Sequence, residues 1–208
     1  TAKRAEAGFV RILGRLVMLC VGLIFAIPAA AVTLAIGVLA LLYGLNMRNS
    51  ALNATMVYNN VQAGIRAEYP RNWLLDQDGD YVFQVRDMSR VGYKTTIRVA
   101  TRPVSSSMSE RNILDSLNIT RPLNLSTYTP LSFESYVLPD ESPGTAMTYS
   151  FVETETNPFL ASLPVVVSGL DILTIRGGQA LIITFRADAA TFDEDIAIFN
   201  RFLRSLEF

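Results

Sequence analysis

Few residues in this chain have the type and spacing that chemistry requires. Histidine is absent, which removes zinc–histidine sites, the usual general base near neutral pH and the Ser–His–Asp triad. The single cysteine, Cys20, can form neither an internal disulfide nor a metal-binding cysteine cluster. Asp76, Asp78 and Asp80 have the alternate spacing of a calcium loop. That loop also requires Gly at its sixth position and Glu at its twelfth. Tyr81 and Asp87 stand there instead, and Asp78-Gly79 reads as a hairpin turn. Asp193, Glu194 and Asp195 fall in the first turn of the last predicted helix, where carboxylates complement the helix dipole. Ser105-Ser106-Ser107 with Lys94 is the nearest approach to a Ser–Lys nucleophile, and no spacing supports it. No pair of carboxylates is singled out for glycoside hydrolysis. Asn53-Ala54-Thr55, Asn118-Ile119-Thr120 and Asn124-Leu125-Ser126 match the glycosylation pattern, which is common by chance. The reading is of a chain with no catalytic residue, no cofactor and no metal, and hence not an enzyme.

Two stretches could dock a partner. Arg86, Arg90, Lys94, Arg98 and Arg102 make a basic run, although the chain beyond Arg48 carries 13 basic against 18 acidic residues. Such a run is either an ordinary solvent-facing strand surface or an electrostatic dock for an acidic partner or lipid headgroups. Phe159, Leu160 and Leu163, between Pro158 and Pro164, are apolar for a loop. They fold onto the core or meet a partner or the bilayer surface. Nucleic acid is not expected, because 18 basic residues do not exceed 19 acidic ones.

The elements that would hold these residues begin with a membrane segment. The 30 residues from Leu16 to Leu45 carry no charge, and a helix of that length exceeds the ~30 Å hydrocarbon core. Two full spans would need about 40 residues and a turn, so one pass is expected, tilted or continuing beyond the interface. Pro28 predicts a kink. Lys3, Arg4, Arg11 and Arg15 followed by Pro28-Ala29-Ala30-Ala31 would also suit a cleaved signal peptide. The apolar run continues past Ala31, which favours an anchor. The basic N-terminal flank, against Arg48 alone on the other side before Arg66, places the N-terminus in the cytoplasm and the rest outside a plasma or energy-transducing membrane. Small residues at four-residue spacing, Gly22, Ala26 and Ala30 on one line and Ala29, Thr33 and Gly37 on another, would let a second helix approach closely in lipid.

The expected organisation is residues 1–15 cytoplasmic, 16–45 transmembrane, 46–61 linker or helix extension, and 62–208 one extracytoplasmic domain. That domain alternates like strands at Ile65–Tyr69, Tyr81–Val85, Thr95–Arg102, Leu131–Leu138, Thr145–Thr154, Val165–Arg176 and Gln179–Arg186. Gly177-Gly178 joins the last two as a two-residue hairpin, and residues 121–130 read as loop. Ser107-x-x-Glu110 and Thr191-x-x-Glu194 are capping boxes opening two helices. The last helix repeats Ile196, Phe199, Phe202, Leu203 and Leu206 at helical period. The fold class is α+β: a transmembrane helix, then an antiparallel sheet with a C-terminal helix packed on it.

This order of elements resembles the PsbP-like family of α/β/α sandwiches. The residues that carry it are Tyr69-Pro70-Arg71-Asn72-Trp73, the hairpin Ile172 to Phe185, and the closing run Phe199 to Phe208. The resemblance covers roughly Val61 to Phe208. It implies a non-catalytic accessory subunit that docks on other subunits of a membrane complex, photosynthetic or respiratory, with the lipid bilayer as its other partner. The histidines that bind metal in some photosynthetic members have no counterpart here. The alternative is a membrane-anchored module that binds a lipid or small ligand.

Overall fold

The computed structural model describes residues 31–51, 53–90, 92–105, 107–154 and 163–208. The chain divides into two units, Thr1–Asn53 and Ala54–Phe208. In the first, helix α1 spans Ala31–Ala51, 21 residues with mean hydropathy 1.6 and no buried residue in its apolar window. At 1.5 Å per residue it is about 31 Å long, enough to cross a bilayer core. Thr33 and Gly37 lie on it; Pro28, Gly22, Ala26, Ala29 and Ala30 lie outside the described residues.

Residues 46–61, read as linker or helix extension, divide instead between two elements. α1 continues to Ala51, and strand β1 occupies Thr55–Asn60. β1 pairs antiparallel with β2, Ile65–Pro70, where Ile65, Ala67 and Tyr69 are buried and Arg66 and Glu68 exposed. Seven further strands form one antiparallel sheet: β3 Leu74–Asp76, β4 Phe83–Arg86, β5 Thr96–Pro103, β6 Ser126–Val137, β7 Pro143–Glu153, β8 Val165–Arg176 and β9 Gln179–Asp188. Their spatial order is β3-β4-β5-β9-β8-β7-β6. Gly177 and Gly178 close the β8–β9 hairpin with φ of 58° and 78°. Both values suit a primed two-residue turn, and both are costly for a residue with a Cβ.

Helix α3, Phe192–Ser205, covers one face of the sheet together with the β1–β2 hairpin. Phe199 lies on Phe185 with ring centroids 4.8 Å apart, and Phe202 meets Phe83 at 6.1 Å. Both helix aromatics are fully buried. The hairpin is fixed to the end of α3 by reciprocal backbone bonds between Arg66 and Glu207 of 3.0 and 2.8 Å. On the opposite face, α2, Glu110–Thr120, buries Ile113 and Leu114 against Met147, Tyr149, Phe151 and Leu173.

Several local expectations are corrected. α2 is capped by Ser109, whose Oγ accepts from the Asn112 N–H at 3.3 Å, two residues beyond the expected Ser107. At α3 the Thr191 side chain does not cap; its hydroxyl donates to Asp195 at 3.2 Å. Residues 121–130 are not loop: a 3₁₀ turn takes Arg121–Leu123, and β6 begins at Ser126. Pro130 is accommodated in β6 at a register irregularity, as an edge strand permits.

Candidate functional site

α2 packs on the sheet face near β7 and β8, and among the described residues a cavity opens on the same face beside β4, β5 and part of β9. The register decides which side chains stand there. Arg86, Thr96, Arg186, Gly169 and Tyr149 form one row across β4, β5, β9, β8 and β7. Gln84, Arg98, Thr184, Asp171 and Met147 form the next. Residues directly opposed in a sheet point to the same face. Arg98 and Arg186 are therefore diagonal neighbours on adjacent strands. A cavity of ≈ 820 Å³ opens over them, walled by Tyr93 and Lys94, by Leu125, and by Glu153, Leu163 and Val165.

A buried polar network underlies it. Arg186 Nε donates to the Tyr149 hydroxyl at 2.9 Å. Tyr149 reaches that position because Gly169 lies between them in the row: a Cβ there would stand 2.2 Å from the Tyr149 ring. Arg121 lies over the Tyr149 ring, 4.2 Å from its centre, and pairs with the fully buried Asp171 at 2.5 Å. Burial, and then the Asp171 charge, pushes the Tyr149 phenol up to about 12. Burial opposes the Arg121 charge, but Asp171 together with Tyr149 and Tyr128 raises the guanidinium pKa. Burial likewise opposes the Arg186 charge, and the neighbouring Tyr149 and Tyr93 outweigh it. Arg98 is the exception. Burial, and then the Arg186 charge, holds it below the ordinary guanidinium range. Its Nε donates to the Gln84 side-chain carbonyl at 2.8 Å, and its guanidinium lies 4.9 Å from the Tyr81 ring centre. Among the described residues neither Arg98 nor Arg186 is in an ion pair.

The basic run divides between different tasks. Arg86, Lys94 and Arg98 line the cavity, with Arg86 also held 3.1 Å from Asp76. Arg90 is spent on Asp87 and on the buried Asp195, whose other oxygen accepts from Thr95 Oγ1 at 2.8 Å. Asp195 is thus a structural anchor for α3 as well as a first-turn acid. Arg102 is exposed farther along β5, outside the cavity lining. Leu163 is exposed at the cavity rim, and Phe159 and Leu160 lie outside the described residues. Asp76 does not form a calcium loop: its Oδ1 accepts the Asp78 N–H at 3.0 Å and its Oδ2 faces Arg86. That backbone hydrogen bond is the largest cause lowering its pKa. Among the described residues no group of three acidic or cysteine side chains could hold a metal.

The sequence reading missed Arg186, Thr184, Tyr149, Asp171 and Gly169. A signal was present. Thr184 and Arg186 interrupt the otherwise apolar β9, and Asp171 sits mid-strand in β8, where an unpaired charge is costly.

No family model matches the chain, and no curated protein matches it. Among solved structures the fold is that of the PsbP-like α+β sandwiches. The chain is similar to the solution structure of cyanobacterial PsbP (CyanoP) from Synechocystis sp. PCC 6803, with 12% identity and TM-score 0.54. That likeness covers 74% of this chain and 92% of the other. It is also similar to LpqN of Mycobacterium tuberculosis, described as involved in cell envelope biogenesis, with 11% identity, TM-score 0.48, and 74% and 90% coverage. A third is the Saccharomyces cerevisiae Ran-binding protein Mog1p, with 9% identity, TM-score 0.44, and 74% and 95% coverage. The likeness to the CyanoP structure, at 12% identity, establishes the fold alone: the sheet domain has a PsbP-like fold.

Proposed function

We propose that this chain is a non-catalytic accessory subunit of a larger membrane complex, held by one transmembrane helix with its PsbP-like domain outside the membrane. The observation that carries the reading is the combination, in one chain, of a helix long and apolar enough to cross a bilayer with a PsbP-like sheet domain. The charge asymmetry supports the orientation: four basic residues precede the apolar run, and Arg48 alone follows it before β2. The two small-residue lines support a helix that packs on other helices. A photosynthetic or respiratory assembly is the expected host, by analogy with the CyanoP structure. Protease added to intact cells or spheroplasts should digest the sheet domain and spare the N-terminal flank. Digestion of the flank with protection of the domain would reverse the orientation.

A second reading, a membrane-anchored module that binds a small ligand, is favoured by the open cavity over Arg98 and Arg186. A binding cavity and a docking anchor are compatible in one subunit.

A further inference from the structure

The cavity over β4, β5 and β9 has the charge and geometry of an anion site. Four cations and one carboxylate line it: Arg86, Lys94, Arg98 and Arg186 against Glu153. Asp76 neutralises Arg86 from outside the lining, at 3.1 Å. Arg121 and Asp171, behind Tyr149, neutralise one another. An excess of two positive charges therefore faces the cavity.

That excess is held in place by the sheet. Arg98 and Arg186 project from adjacent strands of one sheet face, and each is aimed by a neutral acceptor, Gln84 and Tyr149 respectively. Half-buried like charges placed side by side repel and lose hydration, so such a pair is stable where an anion completes it. The depressed pKa of Arg98 beside Arg186 has the same origin. Two planar guanidinium groups recognise oxyanions by forked hydrogen bonds. The Thr184 hydroxyl stands on the same face as a further donor. A carboxylate brings one charge; a phosphate monoester brings about 1.5 to 2 and three acceptor oxygens, which matches the excess. The volume of ≈ 820 Å³ is that of a small-molecule site rather than of a lone ion. The apolar wall of Leu125, Val165 and the Tyr93 ring would seat the remainder of such a molecule.

We propose that this cavity binds a small molecule carrying a phosphate monoester, with the phosphoryl group between the guanidinium groups of Arg98 and Arg186 and the organic part against Tyr93, Leu125 and Val165. The ester could belong to a soluble metabolite or to a lipid headgroup, and both present the same group to the arginines. This proposal goes beyond the subunit reading and does not depend on it, because it concerns the isolated chain.

The test is calorimetric titration of the full chain in a phosphate-free detergent with four probes: glycerol 3-phosphate, dihexanoyl phosphatidic acid, inorganic phosphate and acetate. Glycerol 3-phosphate should bind, compete with inorganic phosphate, and weaken as salt rises. Acetate should bind at least tenfold more weakly. Arg98→Gln should lower the affinity by about tenfold or more, the loss of one charge-assisted hydrogen bond. Arg102→Gln, outside the lining, should leave it unchanged. Because Arg186 is packed on Tyr149, Arg186→Lys serves as the second variant: it keeps the charge, loses the fork, and should weaken binding several-fold in a protein that melts normally. Phosphatidic acid binding tenfold tighter than glycerol 3-phosphate would assign the site to a lipid headgroup; equal affinity would assign it to a soluble ester. No binding of either ester at millimolar concentration, equal binding of acetate, or an affinity indifferent to Arg98→Gln would overturn the proposal. None of these outcomes bears on whether the protein co-migrates with a complex.

Discussion

Gly169→Ala tests whether the β7–β8–β9 row is built as described. The added Cβ would stand 2.2, 2.4 and 2.7 Å from three atoms of the Tyr149 ring. No carbon tolerates such distances, so the ring or strand must move. The ring is fully buried, packed near Tyr128 at 5.4 Å and under Arg121 at 4.2 Å, so it cannot swing into solvent. Overpacking of this kind costs about 1–3 kcal/mol. In a domain of this size each kcal/mol moves the melting temperature by about 2–4 °C, which gives a drop of about 2–12 °C. The assay is thermal and urea denaturation of the full chain in detergent, for the parent, Gly169→Ala, Tyr149→Leu and the double variant. Tyr149→Leu shortens the side chain that the added methyl group would strike, so the double variant should be more stable than the sum of the singles by about 1 kcal/mol or more. Gly169→Ala should also weaken phosphate-ester binding, since a displaced Tyr149 no longer aims Arg186. A Gly169→Ala protein as stable as the parent, or strict additivity with Tyr149→Leu, would refute the proposed close approach.

Two further outcomes follow from the packing and the buried phenol. Phe202→Ala removes a ring that is 1% exposed and packed against Phe83 and Phe199. It should cost about 3–5 kcal/mol, read as a melting drop of about 6–20 °C; an unchanged melting temperature would mean that α3 does not pack on the sheet. The Tyr149 proton leaves near pH 10 in the unfolded chain and at about 12 in the fold. The fold then binds more protons across that window, so stability falls as pH rises through it, by on the order of 2–3 kcal/mol. The gap between urea midpoints at the two ends of the window should narrow in Tyr149→Phe, the remainder belonging to the other raised phenols such as Tyr93 and Tyr128; an equal loss in both proteins would remove Tyr149 as the cause.

The fold was legible wherever local patterns and burial agree. Gly177-Gly178 marked the β8–β9 hairpin because few other residues adopt both positive φ values there. The stripe Phe199, Phe202, Leu203 and Leu206 marked α3 because it has nowhere else to go. β1 was hidden for the opposite reason: it carries Asn59 and Asn60, which strands disfavour, and buries only Tyr58. β6 was shortened at its start because Pro130 reads as a break, while an edge strand has a free side to receive it. The start of α2 was misjudged by two residues: Ser107-x-x-Glu110 matches the capping box, while Ser109, which caps, is followed at that spacing by Asn112. The site was legible only in part. Arg86 and Arg98 are neighbours across one hairpin-like pair and fall within a single basic run. Gly169 faces Arg186 across the Gly177-Gly178 hairpin, and Tyr149 follows across the next strand pair, so that part of the row was readable from the hairpin register. Arg98 meets Arg186 only because β9 lies between β5 and β8, and no local pattern encodes that adjacency.

The claim that α1 anchors a subunit in a larger assembly is tested most directly by native size after gentle detergent extraction. The parent protein should migrate with a complex several times its own mass, with the co-migrating chains identified by mass spectrometry. Gly37→Leu, which fills a small-residue line and separates the helix backbones, should release it as a folded, membrane-extracted monomer. Arg98→Ala should leave it largely associated, with a minor loss that varies with salt. A parent that runs alone as a monomer would contradict the account. Release by Arg98→Ala with retention of Gly37→Leu would reduce α1 to a tether and move the specific contact to the sheet domain.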